Sequence, residues 1–261
     1  MQLDFVLALF GPTASGKTAV AEELASRFPA ELISADSMQA YWGLPILTNQ
    51  PAAPTRLVGI WPLDHEGSVG EYQQLAHAAI DDVLSGGKTP IVVGGTGLYL
   101  RAAVSALELP PAPAPGQREH WQRVYDSLGG QRAHELLAER DPAAAASVHP
   151  NDRRRVVRAL ELTDAGRSLK APADRLWSPD TRHPTAGFGL EVPRTELLRR
   201  IETRTQAMFE AGVRDEVAQA LARPISATAR KALGLDALDT HDFEDAVGLV
   251  LRRELARALR R

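Results

Sequence analysis

Residues 5–18 read FVLALFGPTASGKT, a short apolar run followed by G-x-x-x-x-G-K-[ST], and this junction constrains the fold more than any other stretch of the chain. Gly11 and Gly16 admit backbone conformations that turn several N–H groups toward one anion, while Lys17 adds a mobile positive charge and Thr18 a hydroxyl suited to a divalent metal. In the following GKTAVAEELASRF, Val20, Leu24 and Phe28 recur at helical spacing. They predict a helix whose positive N-terminal end faces the loop. Gly11, Pro12, Thr13, Ala14, Ser15, Gly16, Lys17 and Thr18 are thus the expected polyphosphate-binding residues. The spacing alone does not distinguish ATP from a diphosphate.

The wider pattern is α/β. FVLALF (5–10), ELISA (31–35), RLVGIW (56–61) and PIVVGG (90–95) are candidate buried strands, the second and fourth each preceded by a helical pattern. That alternation implies parallel strands with crossover helices. LELPPAPAPG (107–116) is a proline-rich break, after which helices are expected over 117–128, 130–139 and 152–165. The third of these takes Asn151 or Asp152 as its cap and Gly166 as its stop. AGFGLEV (186–192) reads as a returning core strand, and 195–221 as two helical stretches joined at Gly212. The expected organisation is a phosphate-loop core of a P-loop NTPase-like kind, a parallel sheet flanked by helices, formed by 1–112 and 186–261. A helical insertion spans 113–185.

Composition removes several classes. The chain has 261 residues and no cysteine, which excludes a disulfide framework, a Cys-ligated zinc and a cysteine nucleophile. Its seven histidines show no metal-ligand spacing, so His149 reads as a turn residue. No apolar run approaches the roughly 20 residues that span a bilayer, and a cytoplasmic protein without membrane contact, monomeric, is the expectation. Residues 1–112 hold 5 Lys+Arg against 11 Asp+Glu, and residues 113–261 hold 25 against 22. The arginines of the later half fit either a nucleic-acid surface or solvated helices.

Two further loops fall at strand ends. ISADSMQAY (33–41) places Asp36 just after the second strand, at the carboxyl edge where ligands of open α/β sheets collect. A carboxylate there can be a general base, a metal ligand or a helix cap. VVGGTGLYLRA (92–102) brings backbone amides and Thr96 to the same edge.

Taken together, GPTASGKT, ISADSMQ, VVGGTGLYL, DPAAAASVHPNDRRRVVRALEL (141–162) and RRIETRTQAMFEAGVRDEV (199–217) closely resemble the tRNA dimethylallyltransferases. The resemblance implies that the loop holds the diphosphate of dimethylallyl diphosphate, a leaving group. The acceptor it implies is the exocyclic N6 amine of the adenine beside the anticodon of a tRNA, presented by the anticodon stem-loop, with Mg²⁺ on Thr18. By the same resemblance Asp36 is the base, Lys17 and Thr96 complete the catalytic set, and Arg204 faces the diphosphate. Ser37, Met38 and Gln39 match the base-contacting run, Thr96 contacts the tRNA, and Arg118, Arg154, Arg155 and Arg158 match its basic positions. The chain departs from the family's usual run at AYWGLPILTNQP (40–51), where Trp42 stands for an arginine and Gln50 for a lysine. A small-molecule kinase, with Asp36 activating a hydroxyl, and a tRNA-binding remnant without catalysis are the rival readings.

Overall fold

In the computed structural model of the protein, which describes residues 5–109, 113–170, 180–232, 234, 235 and 238, the first apolar run forms β1 (Val6–Phe10). β2 (Ala30–Ser34), β3 (Thr55–Arg56), β4 (Thr89–Gly94) and β5 (Thr185–Gly189) complete a sheet in the order β3-β2-β4-β1-β5, every pairing parallel. The helices are α1 (Lys17–Arg27), α2 (Val69–Ser85) and α3 (Gly97–Val104), then α4 (Gln117–Leu128), α5 (Gly130–Arg140), α6 (Pro142–Ala145) and α7 (Arg153–Asp164), and finally α8 (Arg194–Glu210) and α9 (Val213–Leu221).

Alternation along the strands divides the core. Val6 and Ala8 pack with Ile33, Ala35 and Val92 against Tyr72 and Ile80 of α2, Ala102 and Ala103 of α3, and Val213 and Val217 of α9. Leu7 and Leu9 pack with Leu32 and Ile91 against Ala21 and Leu24 of α1 and against Phe28 just after it. Successive side chains of a strand leave opposite faces of the sheet, so strands apolar at every position require a helical layer on both sides.

The chain divides into two compact units, residues 1–107 with 180–261, and residues 108–179. The second consists of α4 to α7 around Trp121, Tyr125, Leu137, Val156 and Leu160. Its polar ring edges are satisfied: Trp121 Nε1 donates to Asp164 Oδ2 at 2.7 Å and the Tyr125 hydroxyl to Pro150 O at 2.8 Å. Residues 180–185 stand with the sheet and not in an insertion running to 185. Arg182 N donates to Val104 O at 2.8 Å, and Arg182 and His183 both hold Asp81 of α2.

Other local expectations meet specific outcomes. Asp152 caps α7, its Oδ1 accepting from Arg155 N at 3.1 Å, and Gly212, at φ +88°, separates α8 from α9. The run 56–61 is not a strand beyond Arg56, because Leu57 and Gly59 take φ of +63° and +61°, left-handed conformations that end β pairing. Val20 is 37% exposed, whereas Ala21 is fully buried. The inward stripe of α1 is therefore 21, 24 and 28, one residue off the spacing of the larger side chains.

At the carboxyl edge β4 passes close to the residue after β2. Ala35 N donates to Val93 O at 2.7 Å, and a Cβ on Gly94 would lie 2.7 Å from Ala35 O. Gly94→Ala is expected to cost about 1–3 kcal/mol of stability through overpacking, measured as a lowered urea midpoint; an unchanged midpoint would show that the two strand ends have room to part.

Candidate active site

The phosphate loop owes its shape to two residues with positive φ, Ala14 at +62° and Gly16 at +94°. Gly16 is the residue before α1, and its left-handed backbone is one a side chain would strain. Gly11 lies tight against the loop's far end, since a Cβ there would meet Ser15 Oγ at 2.9 Å. Lys17 Nζ donates to Gly11 O at 2.8 Å and Pro12 O at 2.7 Å, so the loop's own carbonyls hold the ammonium at the loop. The buried hydroxyls of Ser15 and Thr96 have no hydrogen-bond partner among the described residues. Buried polar groups are rarely left so, and neither residue lines the cleft at the sheet edge.

Parallel pairing brings three loops to one edge of the sheet. Residues 11–16 follow β1, Asp36 follows β2, and Gly94–Gly95 end β4; all three contribute to a cleft of about 410 Å³. It is lined by Thr13, Ala14, Gly16, Lys17 and Thr18 from the phosphate loop and α1. Asp36, Met38 and Gln39, then Leu47, Thr48 and Asn49, Val93, and finally Arg200 and Arg204, also line it. A wider depression of about 600 Å³ lies at the opposite end of β2, against Ala30, Glu31 and Arg56. There Glu31 is paired with both Arg56 and Lys88, and neither the phosphate loop nor Asp36 lines it.

Asp36 is fixed by its own turn. Its Oδ1 accepts from Met38 N at 2.9 Å, and its N–H is 3.3 Å from Ser34 Oγ. Its Oδ2 makes no hydrogen bond with a described residue. The neighbouring aromatic residues are held neutral: burial pushes the Tyr72 phenol well up, and burial pushes that of Tyr99 up to about 12. Neither phenol is ionised near neutral pH. Gln39 lines the cleft, but its amide is occupied within the protein, accepting from Ser34 Oγ at 2.8 Å and donating to Asn49 O at 2.8 Å. It braces the 44–49 segment. Ser37 is half-buried in the same turn.

Two arginines of α8 reach the cleft. Arg204 makes no ion pair with a described residue, so its charge is not spent on Glu202. Arg200, which sequence spacing did not single out, donates through Nη1 to Ser15 O at 3.3 Å and through Nε to Glu196 Oε1 at 2.7 Å. Glu196, hydrogen-bonded first by Arg199 and then by Arg200, has its carboxyl lowered to about 2 and stays ionised as the anchor of both. The only sequence signal for Arg200 was its place four residues before Arg204, one helical turn away.

Thr96 starts α3 directly after Gly94 and Gly95, with no capping bond from its side chain, and is not among the residues that line the cleft. The basic positions of the second unit behave in two ways. Arg154 and Arg155 are exposed and unpaired among the described residues. Arg118 and Arg158 share the buried Glu161, at 3.0 and 2.8 Å, a group that sequence reading had not singled out. His149 is a turn residue, its Nδ1 accepting from Asn151 N at 3.1 Å.

No set of three or more His, Cys, Asp or Glu among the described residues could hold a metal ion. The donor set suits Mg²⁺ all the same, because that ion takes one or two protein oxygens and completes its shell with phosphate oxygens and water. Thr18 offers such an oxygen inside the cleft.

Comparison with known proteins agrees with this geometry. The sequence profile of the IPP transferase family matches residues 39–252, and that of the isopentenyl transferases residues 5–57. The tRNA dimethylallyltransferase of Roseiflexus sp. (strain RS-1) is 42% identical over 84% of this chain and 73% of its own length. That of Streptomyces coelicolor is 40% identical over 88% of this chain and 75% of its own. Among solved structures, the tRNA isopentenylpyrophosphate transferase of Bacillus halodurans superposes with a TM-score of 0.66 at 31% identity, covering 99% of this chain and 85% of its own. A eukaryotic dimethylallyltransferase solved acting on tRNA superposes with a TM-score of 0.78 at 25% identity, covering 99% and 69%. The phosphate loop, the carboxylate after β2 and the matched sequence leave one conclusion: this chain belongs to the IPP transferase family.

Proposed function

We propose that this protein transfers the dimethylallyl group of dimethylallyl diphosphate to the N6 amine of the adenine beside the anticodon of tRNA, releasing diphosphate. The observation that carries the reading is the single cleft in which Asp36 faces the same space as Lys17, Thr18, Arg200 and Arg204. One carboxylate and a cluster of cations is what an allylic substitution at a weakly nucleophilic amine requires.

The N6 lone pair is delocalised into the purine, so its attack on the allylic C1 gains from removal of the amine proton as the bond forms. Asp36 takes that proton. The new N6–C1 bond forms as the C1–O bond breaks, and the bonding pair leaves on the diphosphate oxygen. Loop amides, Lys17 and the two α8 arginines stabilise the negative charge that collects there. Thr18 would hold Mg²⁺ through its hydroxyl, and the ion when bound would supply further charge neutralisation of the leaving group. The acceptor adenine must leave its stack to enter, which costs least in a single-stranded loop.

On this reading Arg154 and Arg155, exposed on the first turn of α7, contact RNA phosphate directly, while Arg118 and Arg158 present charge from a geometry set by Glu161. Ser37 and Met38 meet the adenine, Thr96 approaches the RNA near the reacting base, and the enzyme works as a monomer in the cytoplasm. No described helix is long and apolar enough to cross a membrane.

Incubation with Mg²⁺, labelled dimethylallyl diphosphate and anticodon stem-loops with or without the target adenine tests the assignment: label is expected only in the adenine-bearing RNA, and labelling of neither would overturn it. Asp36→Asn keeps an oxygen for Met38 N, so both substrates should bind while single-turnover transfer slows by roughly a hundredfold or more; near-parental transfer would remove Asp36 as the base. Lys17→Ala should weaken dimethylallyl diphosphate by about tenfold or more, as loss of a charged hydrogen-bond donor does, and leave stem-loop affinity within twofold. Calorimetry on both ligands decides it.

A further inference from the structure

Leu47, Thr48 and Asn49 line the cleft although they belong to no helix or strand. They lie in a tight segment closed by its own turns: Thr48 N donates to Leu44 O at 3.0 Å, Asn49 N to Ile46 O at 3.1 Å and Gln50 N to Pro45 O at 2.9 Å. The N–H groups of Ile46 and Leu47, at the start of this one-turn coil, find no carbonyl within it. Glu216 accepts both, Oε2 from Ile46 N and Oε1 from Leu47 N, each at 2.8 Å. Chain positions 170 and 169 residues apart are thereby joined by a carboxylate using both oxygens.

The clamp is rigid at its base. Glu216 lies in the first turn of α9, whose Val213 and Val217 are each 1% exposed in the core under the sheet. The segment's other side is held by Gln39 Nε2 on Asn49 O and by Gln50 Nε2 on Tyr41 O, both 2.8 Å. Burial raises the Glu216 carboxyl, and its two backbone bonds offset that only in part.

What this wall touches follows from the donor's chemistry. Dimethylallyl diphosphate is polar at one end and apolar at the other. The cations that line the cleft, Lys17, Arg200 and Arg204, take the diphosphate; the apolar residues that line it, Met38, Leu47 and Val93, remain for the five-carbon tail. We propose that Glu216 is a positioning residue that acts through the Ile46 and Leu47 amides to hold Leu47 against the tail of the allylic donor. It sets the preference for a prenylated diphosphate over a bare one. This rests on the dimethylallyl reading above.

The test compares two ligands that share the phosphate end. Calorimetry in Mg²⁺ gives the affinities of dimethylallyl diphosphate and inorganic diphosphate for the parent, Glu216→Ala and Glu216→Gln, with melting temperatures checked alongside. The parent should favour the prenylated ligand. Glu216→Ala should reduce that preference by about tenfold, the effect of losing a charged hydrogen bond, with inorganic diphosphate bound within twofold of the parent. Glu216→Gln keeps one oxygen for one amide and opposes the other with its own N–H, so an intermediate loss is expected in a protein of near-parental stability. If both affinities fell together, or the preference survived in the Gln variant and the Ala variant alike, Glu216 would be a fold residue and the proposal overturned. A parent with no preference for the prenylated ligand would overturn the dimethylallyl reading itself.

Discussion

Parallel pairing of β1, β2 and β4 is the constraint on which the site depends. Because the three strands run the same way, their carboxyl ends finish together, and the loops after Phe10, Ser34 and Gly94 must share one edge. The pairing is close enough at that edge to forbid a side chain at 94. A phosphate grip, a carboxylate and a pair of glycines, separated by tens of residues in the chain, are therefore delivered to one cleft before any polar contact between them is made. Polar contacts then refine positions: Tyr72 holds Ser34 O at 2.9 Å, Ser34 holds Gln39, and Gln39 holds Asn49.

Charge follows the same logic of delivery. Lys17 is retained by loop carbonyls and Arg200 by Ser15 O and Glu196, so cations are stationed beside the loop through contacts with the protein itself. Such preorganisation matters in a transferase, where the leaving group gains charge only as the bond breaks and the stabilising groups should not have to move. In the helical unit Glu161 does the equivalent service for Arg118 and Arg158, at the cost of burying a carboxylate that two guanidiniums must satisfy.

The places of the phosphate loop and of Asp36 were legible in the sequence because each follows directly on an apolar strand run, with a fixed local spacing. Helix boundaries marked by Asp152, Gly166 and Gly212 were legible for a similar reason, since caps and stops are local. What was illegible depends on distant contacts. Val20 has the size of a core residue, yet α1 is rotated so that Ala21 meets the sheet. The strand expected over 56–61 ends at Arg56 because Leu57 adopts a left-handed backbone that its side chain does not announce. Gln39 sits in a run that implied base contacts, but its amide is engaged by Ser34 and Asn49. Arg200 and Glu216 acquire meaning only when α8 and α9 are packed, since their partners lie 185 and 170 residues away.

On the proposed reaction the loop holds a leaving group and not an energy donor. The most direct test of this follows two labels in one reaction, one on C1 of dimethylallyl diphosphate and one on its terminal phosphorus, with ATP present and an adenine-bearing stem-loop as acceptor. One intact diphosphate is expected for each N6-prenylated adenine, in step through a single turnover, with ATP unconsumed. Orthophosphate formed from ATP in step with product, or diphosphate released without any prenylated adenine, would contradict it.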